Sequence, residues 1–350
     1  MTARITLKRR RPSLLDKGPF IAVLVTIAVF SCLHVHRLSP HCPETRTSAK
    51  APTGDVSKVE VGPEDPFRNL LRSGDGWQMW DRQSIPTKNA EDVVCEWTSI
   101  LGGATKMCTY PEEQDIYVSG EIQREGKWRD CAEVIEMWKM NKPAGIENDD
   151  EEDEFLVEIG VNIGACLMEM LLYTKAKIIG FEANPRNVAQ VATTLMAQPK
   201  DMRDRVALFP IGLGNNATTG IIHAAANNQG NSVVNSVVRD YDSQNISAPI
   251  PIILERLDTI LPGYNMRSNN NKAIRLIKMD VQGFECNVMD AGMGVFRSAR
   301  ALKTEVEKRF LDAQSCSVDG LLDRIEAAGF QRPKKAAAAA YDIHVSKNPQ

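Results

Sequence analysis

The stretch FLVEIGVNIG, from Phe155 to Gly164, constrains the fold more than any other part of the sequence. Its apolar strand formers are followed by polar and glycine positions, and a helical pattern then runs from Ala165 to Thr174. A strand, a glycine-rich turn and a helix bring backbone close to a ligand at the carboxyl end of a parallel strand. The glycines are spaced G-x-x-x-G, so a nicotinamide-dependent oxidoreductase with its G-x-G-x-x-G turn is disfavoured.

A second strand, KIIGF, runs from Lys177 to Phe181 and ends in Glu182. Glu182 lies 22 positions after Gly160, about where an acidic side chain receives ribose hydroxyls on the neighbouring strand. A carboxylate suits this role because it accepts two hydrogen bonds from a diol, and charged acceptors form the stronger bonds. The alternative is an ordinary tight turn at the glycines, with Glu182 as a solvated strand end.

Predicted strands and helices alternate from Phe155 onward. The strands are predicted at 155–159, 177–182, 205–211, 250–254, 273–279 and 300–306, and the helices at 165–174, 185–196, 285–291 and 318–328. The stretch up to about 248 is polar and turn-rich, and Tyr341 to Ser346 predicts a final edge strand. Alternation of this kind predicts an α/β fold: a mainly parallel sheet, helices on both faces and a ligand at the carboxyl edge.

The amino-terminal region predicts a membrane anchor. Residues 1–18 are basic, and the uncharged stretch from Phe20 to Leu33 is the most apolar in the chain. With its flanks it is about 17 residues long, near the lower limit for a spanning helix. The basic residues before it predict a cytoplasmic amino terminus, and therefore a single-pass type II protein with a lumenal domain in the Golgi or ER. A cleaved signal peptide or a mitochondrial presequence is the alternative.

These patterns divide the chain into five parts. They are a basic cytoplasmic tail at 1–18, a transmembrane signal anchor at 19–35, a stem at 36–66, an amino-terminal subdomain at 67–150 and the α/β domain at 151–350.

The amino-terminal subdomain holds all five tryptophans and three of the eight cysteines. Its segment DIYVSGEI, from Asp115 to Ile122, alternates as a strand does, and the segment 131–139 has helical spacing. In an oxidising compartment we expect a Cys95–Cys108 disulfide, whereas Cys166 and Cys286 are expected to be free thiols buried in core elements. The sequence has no C-x-x-C pair and its histidines are scattered, so no metal site is expected.

Five later segments resemble one family in order and spacing. They are FEANP (Phe181–Pro185), VALFPIGLGN (Val206–Asn215), LDT (Leu257–Thr259), IKMDVQGFE (Ile277–Glu285) and LKTEVE (Leu302–Glu307). With the acidic and glycine motif at 158–164, they resemble the FkbM family of S-adenosylmethionine (SAM) methyltransferases over residues 155 to about 330. The resemblance implies a class I, Rossmann-like methyltransferase sheet. The Trp- and Cys-containing subdomain resembles the extension of membrane-anchored eukaryotic members. The expected arrangement is therefore a single transmembrane helix, then this small subdomain, then the sheet.

The resemblance implies SAM as the cofactor. The residues expected to border it are Glu158, Gly160, Asn162 and Gly164 at the methionine part, Glu182 at the ribose, and Gly212 and Asn215 at the adenine. The family acts mostly on hydroxyls of small molecules and sugars, so the expected activity is O-methylation of a small-molecule, glycan or glycoconjugate acceptor. The net charge of -3 argues against nucleic acid as the main partner.

Two carboxylates are candidates for handling the acceptor. Asp280 ends a buried strand at the ligand edge and could position or deprotonate the acceptor, or could instead cap the next helix. Glu305 follows on the next strand and could also face the pocket.

Four further polar residues accompany them. Glu285 is expected as a first-turn helix acid, Lys278 as the partner of a neighbouring carboxylate, and His223 as a further candidate base in a mobile loop. Where the family usually has Glu, this chain has Gln282, which cannot act as a base. This departure keeps open a second hypothesis, a membrane-anchored SAM-fold binding or scaffold protein without catalytic activity.

Overall fold

A computed structural model describes residues 4–6, 79, 94–143, 154–225, 227–234, 249–262 and 274–347. The chain divides into two compact units, one of Met1–Lys8 with Asp65–Gln350 and one of Arg9–Glu64, and all described residues belong to the first. The predicted anchor at 19–35 and stem at 36–66 lie outside the described residues. Within those residues, no helix combines the length and the apolar character needed to cross a bilayer.

In chain order the described strands are β1 (Arg4–Thr6), β2 (Glu96–Ile100), β3 (Thr105–Thr109), β4 (Phe155–Ile159), β5 (Lys177–Phe181), β6 (Val206–Phe209), β7 (Gly212–Leu213), β8 (Thr218–Ala225), β9 (Asn228–Val234), β10 (Ile250–Glu255), β11 (Ile274–Met279), β12 (Ala301–Glu307) and β13 (Ala340–Ser346). The described α-helices are α1 (Val118–Glu125), α2 (Cys131–Met140), α3 (Ala165–Tyr173), α4 (Pro185–Met196), α5 (Lys200–Arg203), α6 (Leu257–Ile260), α7 (Glu285–Ser298), α8 (Lys308–Ala313) and α9 (Val318–Ala327).

The main sheet has seven strands in the order β1-β13-β12-β11-β4-β5-β6. The strands β12, β11, β4, β5 and β6 run parallel to one another, whereas β13 is antiparallel to β12. Buried apolar side chains lie on both faces of this sheet, as expected for parallel strands covered by helices. The predicted α/β fold with a mainly parallel sheet is therefore confirmed.

The strand predicted as the sheet's edge is an interior strand. β13 pairs with β12 on one side and with β1 on the other, where Arg4 lies opposite His344. The sequence prediction of an edge at Tyr341–Ser346 was wrong because the partner strand comes from the far end of the chain.

A second sheet lies after β6, with the order β7-β10-β8-β9. Its strands β8 and β9 form an antiparallel hairpin within the stretch that the sequence marked only as polar and turn-rich. His223 lies in β8 opposite Val233, so its predicted place in a mobile loop was wrong.

The segment DIYVSGEI does not form the predicted strand. Asp115 instead accepts hydrogen bonds from the backbone N–H groups of Val118 (3.3 Å) and Ser119 (2.9 Å) at the start of α1. A side-chain acceptor at this point satisfies helix N–H groups that have no partner within the helix, and this stabilises the helix over the alternating strand.

A buried ion-pair network anchors the amino-terminal region 94–143 to the main sheet. The Glu154 carboxylate accepts hydrogen bonds from Arg275 (2.9 Å) and Arg300 (2.7 Å). The guanidinium of Arg275 also lies over the ring of Trp138 in α2, 4.4 Å from its centroid.

Three disulfides join cysteines of the described residues, namely Cys95–Cys108, Cys131–Cys166 and Cys286–Cys316. The first is the predicted pair. The prediction of free thiols at Cys166 and Cys286 was wrong, since each faces a cysteine of another element that the local sequence does not reveal.

Candidate functional site

The turn after β4 requires glycine at position 160. Gly160 has φ +84°, and an added Cβ would lie 2.0 Å from the carbonyl oxygen of Asp280. The turn is fixed by hydrogen bonds from the N–H groups of Gly160 and Val161 to the carbonyl of Phe181, at 2.9 and 3.1 Å. Gly160 thus allows the turns after two neighbouring parallel strands to touch. Gly164 closes the turn with φ +88° and packs against Val191.

Glu182 lies at the carboxyl end of β5, facing this turn. Its carboxylate accepts hydrogen bonds from the backbone N–H groups of Asn162 (2.7 Å) and Asn184 (2.8 Å). Burial raises the pKa of Glu182 to about 7 although these hydrogen bonds lower it. A carboxylate has about four acceptor sites, and the third donor to Glu182, the side chain of Asn187 at 3.4 Å, leaves about one site for a ribose hydroxyl.

Glu158 and Asn162 carry buried acceptors at the same edge. The Glu158 side chain is fully buried, and Lys278 Nζ lies 3.3 Å from its Oε1. Apart from this ion pair, no described residue donates a hydrogen bond to the Glu158 carboxylate, and none donates to Asn162 Oδ1. Buried acceptors of this kind normally have donors, so the two side chains fit a ligand that brings N–H groups, such as an ammonium.

Lys278 is the cation of this edge, as the sequence suggested. Its ammonium donates to the carbonyl of Gly160 at 2.9 Å. Burial lowers the pKa of Lys278, but the neighbouring Glu158 and Asp280 carboxylates more than offset this, and its pKa lies above the usual value. Lys278 is therefore a fixed positive charge beside the candidate site.

The two predicted catalytic carboxylates are brought together by the residue that departs from the family pattern. Gln282 Nε2 lies 2.6 Å from Asp280 Oδ1 and 3.0 Å from Glu305 Oε2. All three side chains are partly exposed, so they are open to an acceptor. Sequence reasoning missed this contact, because Glu305 is 23 positions from Gln282 and belongs to another strand.

Glu285, rather than Asp280, stabilises the turn that leads into α7. Its Oε1 accepts from the N–H groups of Val281 and Gly283, each at 3.3 Å. Burial raises the pKa of Glu285 to about 8, so at neutral pH it carries little charge. Glu285 is nevertheless the acidic residue of the first turn of α7, as predicted, and its main role there is to accept hydrogen bonds from the preceding turn.

The residues predicted for the adenine lie beside Glu182 and the start of α7. A Cβ added to Gly212 would lie 2.6 Å from a side-chain atom of Leu254 and 3.4 Å from Ala183, so Gly212 allows close packing. Asn215 donates to Asn287 Oδ1 at 2.8 Å, and its carbonyl accepts from Arg256 at 2.5 Å. The segment 212–215 is thus packed against Leu254 and Ala183 at Gly212 and hydrogen-bonded to the start of α7 at Asn215.

The amino-terminal region contributes a residue near Glu182 that the sequence did not single out. Tyr110 donates to Asn187 Oδ1 at 3.0 Å, and Asn187 in turn donates to Glu182 at 3.4 Å. Burial, followed by the nearby Glu182 and Asp115 carboxylates, holds the pKa of Tyr110 well above its usual value. Tyr110 therefore stays protonated and orients Asn187.

The chain is also similar to known methyltransferases. Solved structures similar to it include precorrin-6y C5,15-methyltransferase from Geobacter metallireducens, with 10% identity, a TM-score of 0.32 and coverage of 62% of this chain and 87% of that one. The glycopeptide N-methyltransferase MtfA has 9% identity and a TM-score of 0.32, over 67% and 93% of the two chains. Phosphoethanolamine N-methyltransferase 2 of Haemonchus contortus, solved in complex with SAM, has 9% identity and a TM-score of 0.31, over 59% and 37%. These weak similarities do not bear on the acceptor.

No curated protein sequence matches the chain. The model of the FkbM methyltransferase domain matches residues 158–332, which span half of the chain and contain every predicted site residue. The predicted family is confirmed, and the chain belongs to the FkbM methyltransferases.

Proposed function

We propose that the protein is a SAM-dependent O-methyltransferase that acts on a hydroxyl of a sugar, glycoconjugate or other small molecule. The observation that carries the proposal is Glu182, a buried carboxylate fixed by two backbone N–H groups beside the glycine turn. This arrangement suits the ribose of a nucleoside donor. The carboxylates of Asp280 and Glu305 support a hydroxyl acceptor, because either can accept the hydroxyl proton.

Different residues at the carboxyl edge of the sheet would bind different parts of the SAM donor. Glu182 would hold a ribose hydroxyl, and the buried acceptors of Glu158 and Asn162 would bind the donor's ammonium group. The segment 212–215 would border the base. Burial raises the pKa of Glu158, and the neighbouring Lys278 ammonium opposes this rise and so favours the ionised carboxylate.

The bound donor supplies a methyl group on a sulfonium, which becomes a neutral thioether when the acceptor oxygen takes the methyl. Asp280 would accept the hydroxyl proton, and Glu305 would orient the acceptor through a second hydrogen bond. Holding the reacting groups in line can supply roughly 7–11 kcal/mol of the barrier.

Calorimetry of SAM and S-adenosylhomocysteine with the full chain tests the donor site. Glu182→Gln keeps the side-chain size and replaces one acceptor oxygen with an N–H donor, and a buried hydrogen-bonding group left without its partner costs about 1–3 kcal/mol. We expect binding to weaken about tenfold or more. Glu326→Gln, on the exposed face of α9, is the matched control and should bind as the wild type does. Absence of binding by a folded wild-type chain would refute the donor assignment.

Methyl transfer separates an enzyme from a binding protein. Asp280→Asn should bind the donor normally and lose transfer to acceptor hydroxyls, measured with a radiolabelled methyl group. Donor binding by the wild type without transfer to any hydroxyl acceptor would favour the scaffold hypothesis instead.

We further propose that the domain works in an oxidising compartment. Three disulfides among the described residues support this. Residues 216–218 (Asn-Ala-Thr) also form an N-glycosylation motif, and Asn216 is exposed. A lumenal domain should therefore carry a glycan at Asn216, which glycosidase treatment removes and Asn216→Gln abolishes. Absence of the glycan from the secretory-pathway protein would count against the lumenal address.

The predicted membrane anchor is incompatible with the pairing of β1 with β13. A single crossing at 19–35 would put a bilayer between Arg4–Thr6 and β13, so the anchor and the pairing of β1 exclude one another. Protease treatment of intact microsomes decides between them: protection of a carboxyl-terminal tag with digestion of an amino-terminal tag supports the type II anchor, and any other pattern refutes it.

A further inference from the structure

Gln282 occupies a strained position between two carboxylates. It follows β11 with φ +51°, in the left-handed region that side chains rarely adopt. Its single amide nitrogen reaches Asp280 Oδ1 at 2.6 Å and Glu305 Oε2 at 3.0 Å. An amide nitrogen carries two N–H donors, so it can donate one to each carboxylate at the same time.

The surroundings of this pair are acidic. Asp280 is close enough to Glu158, Lys278 and Glu285 to influence their ionisation. Lys278 is the one cation among these three neighbours, and it is already paired with Glu158. Two carboxylates bridged by a neutral amide therefore present acceptor oxygens and negative charge to an incoming molecule.

We propose that Gln282 is a positioning residue, which holds Asp280 and Glu305 as a pair of hydrogen-bond acceptors for two hydroxyl groups of an uncharged polyhydroxyl acceptor. The inference rests on the proposed methyl transfer and narrows its acceptor class. A neutral diol brings two O–H donors to two carboxylates. A phosphate or carboxylate on the acceptor would bring like charge to the same place, and like charges close together are unfavourable.

The amide is essential to this arrangement. A carboxylate at position 282 would have no N–H group to donate and would add a third negative charge, so that one of the three carboxyls would take up a proton. Gln282→Glu changes the fewest atoms. Gln123→Glu is the matched control, since Gln123 also donates to a carboxylate, Glu96 Oε2 at 3.0 Å, in the amino-terminal region.

The first test titrates the carboxylates directly. The full chain is labelled with ¹³C at Asp and Glu carboxyls, and the Asp280 and Glu305 signals are assigned with Asp280→Asn and Glu305→Gln. We expect Gln282→Glu to raise the titration midpoint of at least one of the two by about one pH unit or more, and Gln123→Glu to leave both unchanged. Unchanged midpoints in a folded Gln282→Glu protein would overturn the positioning role.

The second test compares matched acceptors. Neutral methyl glycosides and the corresponding methyl glycosiduronates (here called uronides) differ only at carbon six of the sugar, where the uronide carries a carboxylate. We expect methyl transfer to neutral glycosides and at least tenfold less to the uronides, and we expect Gln282→Glu to lower transfer about tenfold or more with donor binding unchanged. Equal transfer to uronides, or transfer to neither set, would overturn the acceptor class. Loss of donor binding by the wild type would instead refute the proposed function itself.

Discussion

Replacing Gly160 by Ala would force apart the two turns that form the candidate site. The new Cβ would lie 2.0 Å from the carbonyl oxygen of Asp280, whereas side-chain carbons almost never come closer than 3.0 Å. The turns must therefore separate by about 1 Å or more. Two hydrogen bonds cross this contact, from Asp280 N to the Ile159 carbonyl and from Lys278 Nζ to the Gly160 carbonyl, each at 2.9 Å.

The expected cost has two parts. Alanine at positive φ costs roughly 1–2 kcal/mol. Losing one neutral hydrogen bond and one from a charged donor adds about 2–4 kcal/mol. Gly102→Ala isolates the first part, because Gly102 has φ +67° and an added Cβ there would meet no atom within 4 Å. The difference between the two variants therefore reports the contact with Asp280.

Urea unfolding of the wild type and both variants measures the difference. We expect Gly160→Ala to be less stable than Gly102→Ala by about 2–4 kcal/mol, and to bind S-adenosylhomocysteine more weakly by calorimetry, while Gly102→Ala binds normally. If the two variants differ by less than about 0.5 kcal/mol, the contact between the turns does not have the importance assigned to it.

Three further perturbations test the fold. Burial raises the pKa of Glu285 from 4.5 to about 8, so stability should fall as pH rises above about 4.5, where the unfolded chain ionises, and level off above about 8. Glu285→Gln should remove about 3–5 kcal/mol of this pH dependence, measured by urea unfolding from pH 5 to 9. Arg275→Met removes the buried partner of Glu154 and leaves it with only the partly exposed Arg300, so it should destabilise the fold by about 3–5 kcal/mol. Removing the disulfide with Cys131→Ala and Cys166→Ala, which are 35 positions apart, should cost about 4 kcal/mol.

Each of these has a control. An unaltered pH profile in Glu285→Gln would show that another group governs it. Adding Glu154→Leu to Arg275→Met should restore part of the lost stability, and no recovery would argue against an uncompensated charge as the cause. In reducing agent, which breaks all three disulfides in the wild type, the wild type and the double alanine variant should become equally stable; a variant that stays less stable under reducing conditions would point to packing and not to the crosslink.

Several features of the site were predictable because they follow from neighbouring residues. The strand β4, its glycine turn and the helix α3 form one continuous segment, and the pattern of residues 155–174 specifies all three. Glu182 was found because it ends the next strand, 22 positions after Gly160. Apolar runs, glycines and prolines act through local backbone preferences, which the sequence displays directly.

Other features depended on contacts between distant segments. One miss was local: alternation favoured a strand at 115–122, but the Asp115 carboxylate accepts from N–H groups three and four positions later and stabilises a helix there. Nothing near Cys166 indicates that Cys131 will face it. Such pairings depend on how the elements pack. Contacts between distant segments form only after the entropy cost of closing the loop between them has been met, and a local sequence pattern does not reveal this.

The sequence by itself determined the α/β sheet, the glycine turn and the acidic residue of the neighbouring strand, because each is specified by residues adjacent in the chain. Only the tertiary structure decided that Gln282 lies between Asp280 and Glu305 and that β1 covers β13. The physical reason is that hydrogen bonds between different strands depend on sheet order and register, and these are set by the burial of the whole core rather than by any one segment.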